Sequence, residues 1–273
     1  MGAVPNKVAG RLASGLKKFQ PILDSARARD VNESDTVVVI MDMLHEIFGY
    51  DKYSEITSEH MIRGTFCDLA VRLDGCLQML IEVKAIGLEL KDSFLKQAVD
   101  YAANQGTDWV VLTNGLRWRV YKVAFVKPIE HELVLDLHLP DLSSRNEDHL
   151  ELLWLLAKEG WQKARLGEYH LQRQALSRFF LGAVLQTDPV LEVIRRELRR
   201  ISPGVKIDLE EIHSVLSQEV IKRDVLEGDK AAEAKRQIAR ASARALRNRK
   251  DKDVETSAET SEAPPTITGE STI

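Results

Sequence analysis

Cysteine, net charge and long apolar runs are all scarce in this chain of 273 residues. Its two cysteines, Cys67 and Cys76, supply neither a disulfide framework nor metal-ligand spacing, and they read as reduced core thiols suited to a reducing cytosol. A formal charge of −4 excludes a global basic field, so contact with nucleic acid would rest on local patches or on a partner that supplies cations. No uninterrupted apolar run nears the roughly 20 residues that cross a bilayer. Lys7, Arg11, Lys17 and Lys18 also break up any secretory signal. The expectation is a soluble, cytoplasmic protein with no membrane partner.

Other chemistries are excluded by position rather than by number. The histidines (His45, His60, His131, His138, His149, His170 and His213) are scattered without ligand spacing, which argues against zinc. The segment Gly10 to Gly15 is the nearest thing to a phosphate loop, but Leu16 stands where the lysine is needed. Trp109, Trp118 and Tyr121 read as core aromatics rather than base-stacking platforms. No internal repeat is visible.

What is present is a chain 44% hydrophobic, able to bury a real core in one or two domains. Residues 1–30 are basic and weakly patterned, and read as a short helix or a loose arm. Asn32 is placed to cap a helix whose apolar positions Val37, Ile40, Met41, Leu44, Ile47 and Phe48 recur at helical spacing, with Gly49 as the stop. Strands are expected at about 54–59, 66–73 and 77–85, then a helix from a capping Asp92 through Asn104, ended by Gly106. Strands at 109–113, 116–124 and about 133–139 follow, with a tight turn at Asn114-Gly115. This order predicts an α/β fold with mixed pairing over 31–140, because a strand-helix-strand crossover makes its two strands parallel.

Beyond about 143 the pattern turns helical. Leu150, Leu153, Trp154 and Ala157 share a face, continued by Leu171, Ala175, Phe179 and Leu181, with further helices at 188–200 and 208–226. Residues 143–228 thus form a helical region suited to docking a protein partner or a second copy. Residues 229–252 form a basic helix that is either solvated or in contact with nucleic acid. The tail 253–273 is too polar to fold.

The run Met79-Leu80-Ile81-Glu82-Val83-Lys84-Ala85 places an acid and a lysine on an apolar strand, and uncompensated buried charge is costly. Asp68 lies on the preceding strand. The two strands join around Asp74-Gly75, and register decides whether the acids meet. A two-residue loop pairs Asp68 with Ile81 and separates the acids, whereas a three-residue loop with Gly75 as a bulge pairs Asp68 with Leu80 and unites Asp68, Glu82 and Lys84. The shared site therefore calls for an odd loop. With it, two carboxylates form an oxygen-rich pocket suited to Mg²⁺ or Mn²⁺, with Lys84 beside it. Gln97 and Tyr101 are one helical turn apart and lie on the same side as Phe94. Glu33 lines up with Val37, Ile40 and Leu44 and so turns inward, the alternative being a surface carboxylate favoured by the helix dipole.

Cys67-Asp68, Glu82-Val83-Lys84 and Gln97-x-x-x-Tyr101 resemble the signature of the PD-(D/E)XK nuclease superfamily. Asn32-Glu33-Ser34-Asp35-Thr36, Arg63-Gly64 ahead of Asp68, and Thr113-Asn114-Gly115 before a Trp-containing strand narrow the resemblance. Over roughly residues 30–125 the chain is similar to the N-terminal nuclease domain of the restriction subunit of type I restriction enzymes. The resemblance implies a restriction-endonuclease-like mixed sheet flanked by helices, followed by a smaller all-helical region. It implies a Mg²⁺-dependent endodeoxyribonuclease in a restriction or repair context, with DNA as substrate. Asp68 and Glu82 would bind the metal, Lys84 would assist hydrolysis, Glu33 would support the site, and Gln97 and Tyr101 would steady it and the DNA backbone. Cys67 stands where the family name has proline, and the sequence carries no helicase motor. The alternative function is a non-catalytic nucleic-acid-binding or scaffold protein on the same fold.

Overall fold

The structure, a computed structural model, describes residues 3–62, 65–125 and 129–259, without the side chains at 59–62, 65–66, 97 and 245–259. The chain divides into two compact units, residues 1–170 and 171–273. The division falls later than the change in pattern near residue 143.

The first unit opens on a long helix, α1 (Asn6–Ala28), where the sequence left a short helix or an arm open. Val8, Leu12, Leu16, Phe19, Leu23 and Ala26 recur at three- and four-residue steps, and all are buried. The lysines and arginines between them lie on the opposite face, which is why the segment reads as merely basic. Arg11 fastens the helix: its guanidinium forks onto Glu159 at 2.7 and 2.6 Å and donates to the Ile47 carbonyl at 3.0 Å. Helix α2 (Glu33–Glu46) begins at Asn32, whose side chain accepts from the Asp35 amide at 2.9 Å, and Gly49 ends the segment at φ 82°.

Six strands then form one sheet in sequence order: β1 (Ile56–Ile62), β2 (Thr65–Leu73), β3 (Cys76–Val83), β4 (Trp109–Thr113), β5 (Arg117–Ala124) and β6 (Glu130–His138). Every neighbouring pair is antiparallel except β3 and β4, which are parallel because α3 (Leu95–Gln105) crosses between them. Gly106 ends α3 in the left-handed conformation, as its position predicts. The expected Asp92 cap is corrected. Residues 92–94 make a short 3-10 turn without a side-chain cap, and the Asp92 carboxylate instead accepts from the Tyr121 hydroxyl at 3.3 Å.

The two sheet faces pack differently. Leu69, Val71, Met79, Ile81, Val83, Val111, Trp118 and Val120 meet α1, α2 and α4 (Glu147–Trp154) in the larger core. Ala70, Leu80, Val110, Leu112, Tyr121 and Val123 meet α3 in the smaller one. Leu150, Leu153 and Trp154 of α4 belong to the larger core, and α5 (Lys158–Gln162) carries Glu159. These residues pack into the first unit. The buried thiol of Cys67 has its pKa pushed up to about 12, chiefly by desolvation, as a reduced core cysteine should, whereas Cys76 is exposed.

Helix α6 (Arg165–Ala175) crosses the division. The second unit holds α7 (Arg178–Leu185), α8 (Asp188–Ile201), α9 (Leu209–Val215), α10 (Arg223–Leu226) and α11 (Asp229–Glu259). Ser177 caps α7, and an Asp208–Glu211 capping box starts α9. Helix α11 packs on α7, with Gly182 and Ala183 of α7 and Ala231 and Ala234 of α11 buried. Among the described residues no helix is long and apolar enough to cross a membrane.

Candidate functional site

The hairpin solves the register problem in an unexpected way. Leu73 pairs with Cys76 across a two-residue turn, and Asp74 and Gly75 both have positive φ (51° and 78°). An odd loop was the stated requirement, and the turn is even. An irregularity at Val71/Arg72 then adds one residue on β3, so that Leu69 faces Ile81 rather than Leu80. Beyond that last pair Asp68 follows on β2 and Glu82 on β3, and the Asp68 charge is close enough to help raise the Glu82 pKa. The bulge restores, at Leu69 and Ile81, the parity that the turn removes.

Hydrogen bonds fix these groups at the carboxyl end of β3. The Asp68 carboxylate accepts from the Val83 amide at 2.7 Å, which holds that side chain against the strand bearing its partner. Lys84 leaves the strand with its amide bonded to the Thr113 carbonyl at 2.8 Å. Its ammonium lies 2.9 Å from Glu82 and 3.3 Å from Glu33, and 5.8 Å from the centre of the Phe94 ring. Glu33 reaches this point from the first turn of α2, so it is neither a plain surface carboxylate nor a core group: its side chain is 45% exposed.

Electrostatics follow from burial. Glu82 is only 8% exposed, and desolvation raises its pKa, with the Asp68 and Glu33 carboxylates adding to the rise and Lys84 opposing it. Burial pulls the Lys84 pKa down, but the hydrogen bond and charge of Glu82, then Glu33 and Asp68, outweigh it and leave it raised. Lys84 is therefore held as a cation. Asp68, Glu82 and Glu33 thus surround a single ammonium. Among the described residues no three of His, Cys, Asp and Glu gather closely enough to form a ready-made metal cage. The donor set fits Mg²⁺, which takes one or two carboxylates and keeps several waters.

The structure brings Asp68, Glu82, Lys84 and Glu33 together. Tyr101 is 2% exposed in the α3-side core beside Cys67, and burial followed by Cys67 raises its pKa. Gln97 lies on α3, but its side chain falls outside the described residues, as does the Arg63-Gly64 pair.

Two residues that sequence reasoning left aside shape the loop following β3. Asn114, 7% exposed, donates to the carbonyls of Ile86 and Leu88 at 3.3 and 2.8 Å and accepts from the Arg117 amide at 2.9 Å. Arg119 donates to the Leu90 carbonyl at 2.8 Å. Together they pin the segment that carries Lys84 into α3. Asn114 reads in the sequence as turn chemistry and as part of the Thr113-Asn114-Gly115 motif, with no role at the site. The signal for more is an amide next to a fully buried strand, where its polar atoms need partners.

Residues 39–135 match the family model for the Type I restriction enzyme R protein N terminus (HSDR_N). That span contains Asp68, Glu82, Lys84, Gln97 and Tyr101, and Glu33 lies just ahead of it. The match supports the resemblance read from the motifs and associates this part of the chain with a restriction-enzyme nuclease domain. No curated protein and no solved structure matches the chain.

Proposed function

We propose that the first unit is a Mg²⁺- or Mn²⁺-dependent nuclease that hydrolyses DNA phosphodiester bonds. The observation that carries this reading is the grouping of Asp68 with buried Glu82, with the Lys84 ammonium 2.9 Å from Glu82 and 3.3 Å from Glu33. Asp68 and Glu82 would hold the cation. When bound, it would polarise the scissile phosphate and acidify a water for attack. The Val83 amide fixes the Asp68 carboxylate. Lys84, beside Glu82, is assigned to orient the attacking water or to set its charge against that developing on phosphate. Glu33 holds Lys84 from the α2 side, and Asn114 holds the loop behind it. Gln97 and Tyr101 are assigned to steadying the site and the DNA backbone, as the family resemblance implies.

The test is conversion of supercoiled plasmid in Mg²⁺ or Mn²⁺ by wild type, Asp68→Ala, Glu82→Ala and Lys84→Ala. Nicking or linearisation by wild type, lost in the three variants while their unfolding stays cooperative, is the expected outcome. Cleavage that survives Asp68→Ala would sink the assignment.

A second reading, a non-catalytic scaffold on this fold, is favoured by one feature: Lys84 already makes both of its ion pairs within the protein. Wild type that neither cuts DNA nor gains thermal stability from Mg²⁺ or Mn²⁺ would decide for it. In either reading we assign the docking of a protein partner, or of a second copy, to residues 171–228. There Leu171, Leu176, Leu181, Val193, Leu198 and Ile201 are exposed. Light scattering of the full chain before and after Leu198→Glu with Ile201→Glu tests that assignment, and an unchanged mass would remove these two residues from the interface of a second copy.

A further inference from the structure

The segment 230–250 of helix α11 is strongly one-sided in charge, although acids return beyond it at Asp251, Asp253 and Glu255. Between Lys230 and Lys250 it holds Lys230, Lys235, Arg236, Arg240, Arg244, Arg247, Arg249 and Lys250 against one acid, Glu233. Ala231 and Ala234 turn inward and are buried, while Lys235, Arg236, Arg240 and Arg244 are exposed. Arg236, Arg240 and Arg244 recur every fourth residue, so they form one stripe, each about 6 Å further along the axis. Arg236 pairs with Glu233 at 2.6 Å, whereas Arg240 and Arg244 form no ion pair among the described residues.

Helix α8 provides a contrast. Its Arg195, Arg196 and Arg200 are each matched by Glu192 or Glu197, so its charge is largely spent within the helix. The stripe on α11 is left unbalanced.

We propose that this stripe binds the sugar–phosphate backbone of duplex DNA, independently of base sequence. Arginine predominates over lysine in the stripe, and its planar fork suits phosphate oxygens. A membrane surface is a poorer fit, because a helix lying in a bilayer interface needs a broad apolar face. The large apolar residues of α11 up to Arg249 are only Ile238 and Leu246, and the remainder of its uncharged surface is mostly alanine. An acidic protein partner is also a poorer fit, since alanines offer no large side chain to anchor a desolvated interface. The choice of DNA as the polymer rests on the proposed nuclease function, but the binding does not use that chemistry. It is therefore measured without divalent metal, where loss of hydrolysis and loss of binding are separate results.

The experiment is fluorescence anisotropy of a labelled mixed-sequence duplex with the full chain in EDTA, over a series of salt concentrations. Wild type is expected to bind with a steep salt dependence. The Arg236→Ala, Arg240→Ala, Arg244→Ala triple variant is expected to bind about tenfold or more weakly at low salt, with a log–log salt slope shallower by roughly 0.9 per phosphate contact removed. The matching triple lysine variant should keep most of the affinity and the slope. The proposal is overturned if the alanine variant, melting cooperatively, binds as wild type does. It is equally overturned if the lysine variant fails along with it, or if wild type binds phosphatidylserine vesicles or an acidic protein but no duplex.

Discussion

The two faces of the sheet solve different problems with neighbouring residues of the same strands. Toward α1, α2 and α4, β2 and β3 present Leu69, Val71, Met79, Ile81 and Val83, and the core they join is apolar throughout. Toward α3 they present Cys67, Ala70 and Leu80, and Asp68 and Glu82 follow where the β2–β3 pairing ends. A single helix covers that second face, and its margin at the end of β3 is open enough to keep Lys84 and Glu33 near water. Charged groups are tolerated where the cover ends and their partners converge, with half-buried Arg72 at the other end of β2. The thick face supplies stability and the thin face supplies chemistry.

That division can be broken most directly on the thick face. Leu16, 1% exposed on α1, is expected to cost about 2–5 kcal/mol on conversion to Ala, read by denaturant unfolding. A loss under about 1 kcal/mol would mean that α1 is peripheral and that the thick face is thinner than described.

On the thin face the corresponding test is Asn114→Ala. It leaves two carbonyls and an amide without their side-chain partner and should cost about 1–3 kcal/mol. Hydrogen exchange should rise in the 84–92 loop before it rises in the strands. Uniform loss of protection through the sheet would count against a local role.

A smaller effect sharpens the account of the turn. Gly75→Ala places a side chain at φ 78° in open space, so its cost is backbone strain alone, about 1 kcal/mol. A neutral result would show that the two-residue turn relaxes without disturbing the grouping of Asp68 and Glu82.

The smallest expected effect is a slope. The Arg11 hydrogen bonds lower the Glu159 pKa below its ordinary 4.5, against the opposing effect of burial. The folded state then binds fewer protons than the unfolded one in this range. The contribution is present above about pH 4.5 and is lost as pH falls through the lowered value. Glu159→Gln should flatten the acid limb of stability against pH, and an identical limb in both proteins would remove the Arg11 clasp from the account of α1.

Much of this was legible from residue order. The Asn32 cap, the Gly49 and Gly106 stops, the α3 crossover and the apolar β4 run all follow from local chemistry acting over a few residues, and the structure has each of them. Helix α1 was only half legible, because basic residues on its solvent face mask an apolar stripe that the other face buries. The Asp92 cap failed because a tertiary partner, Tyr121, competes for the same carboxylate. The site was visible as a set of residue types, but not as a geometry.

The amino-acid order alone determined that an acid, an acid and a lysine would lie on adjacent apolar strands, since strand propensity and the Asp74-Gly75 turn are local. Whether the acids would meet was a matter of parity, and one extra residue on β3 reversed what the turn dictates. Such a bulge is chosen by how both faces pack at once, because only that register keeps Leu69 and Ile81 in one core and Ala70 and Leu80 in the other. Only the folded sheet could decide it.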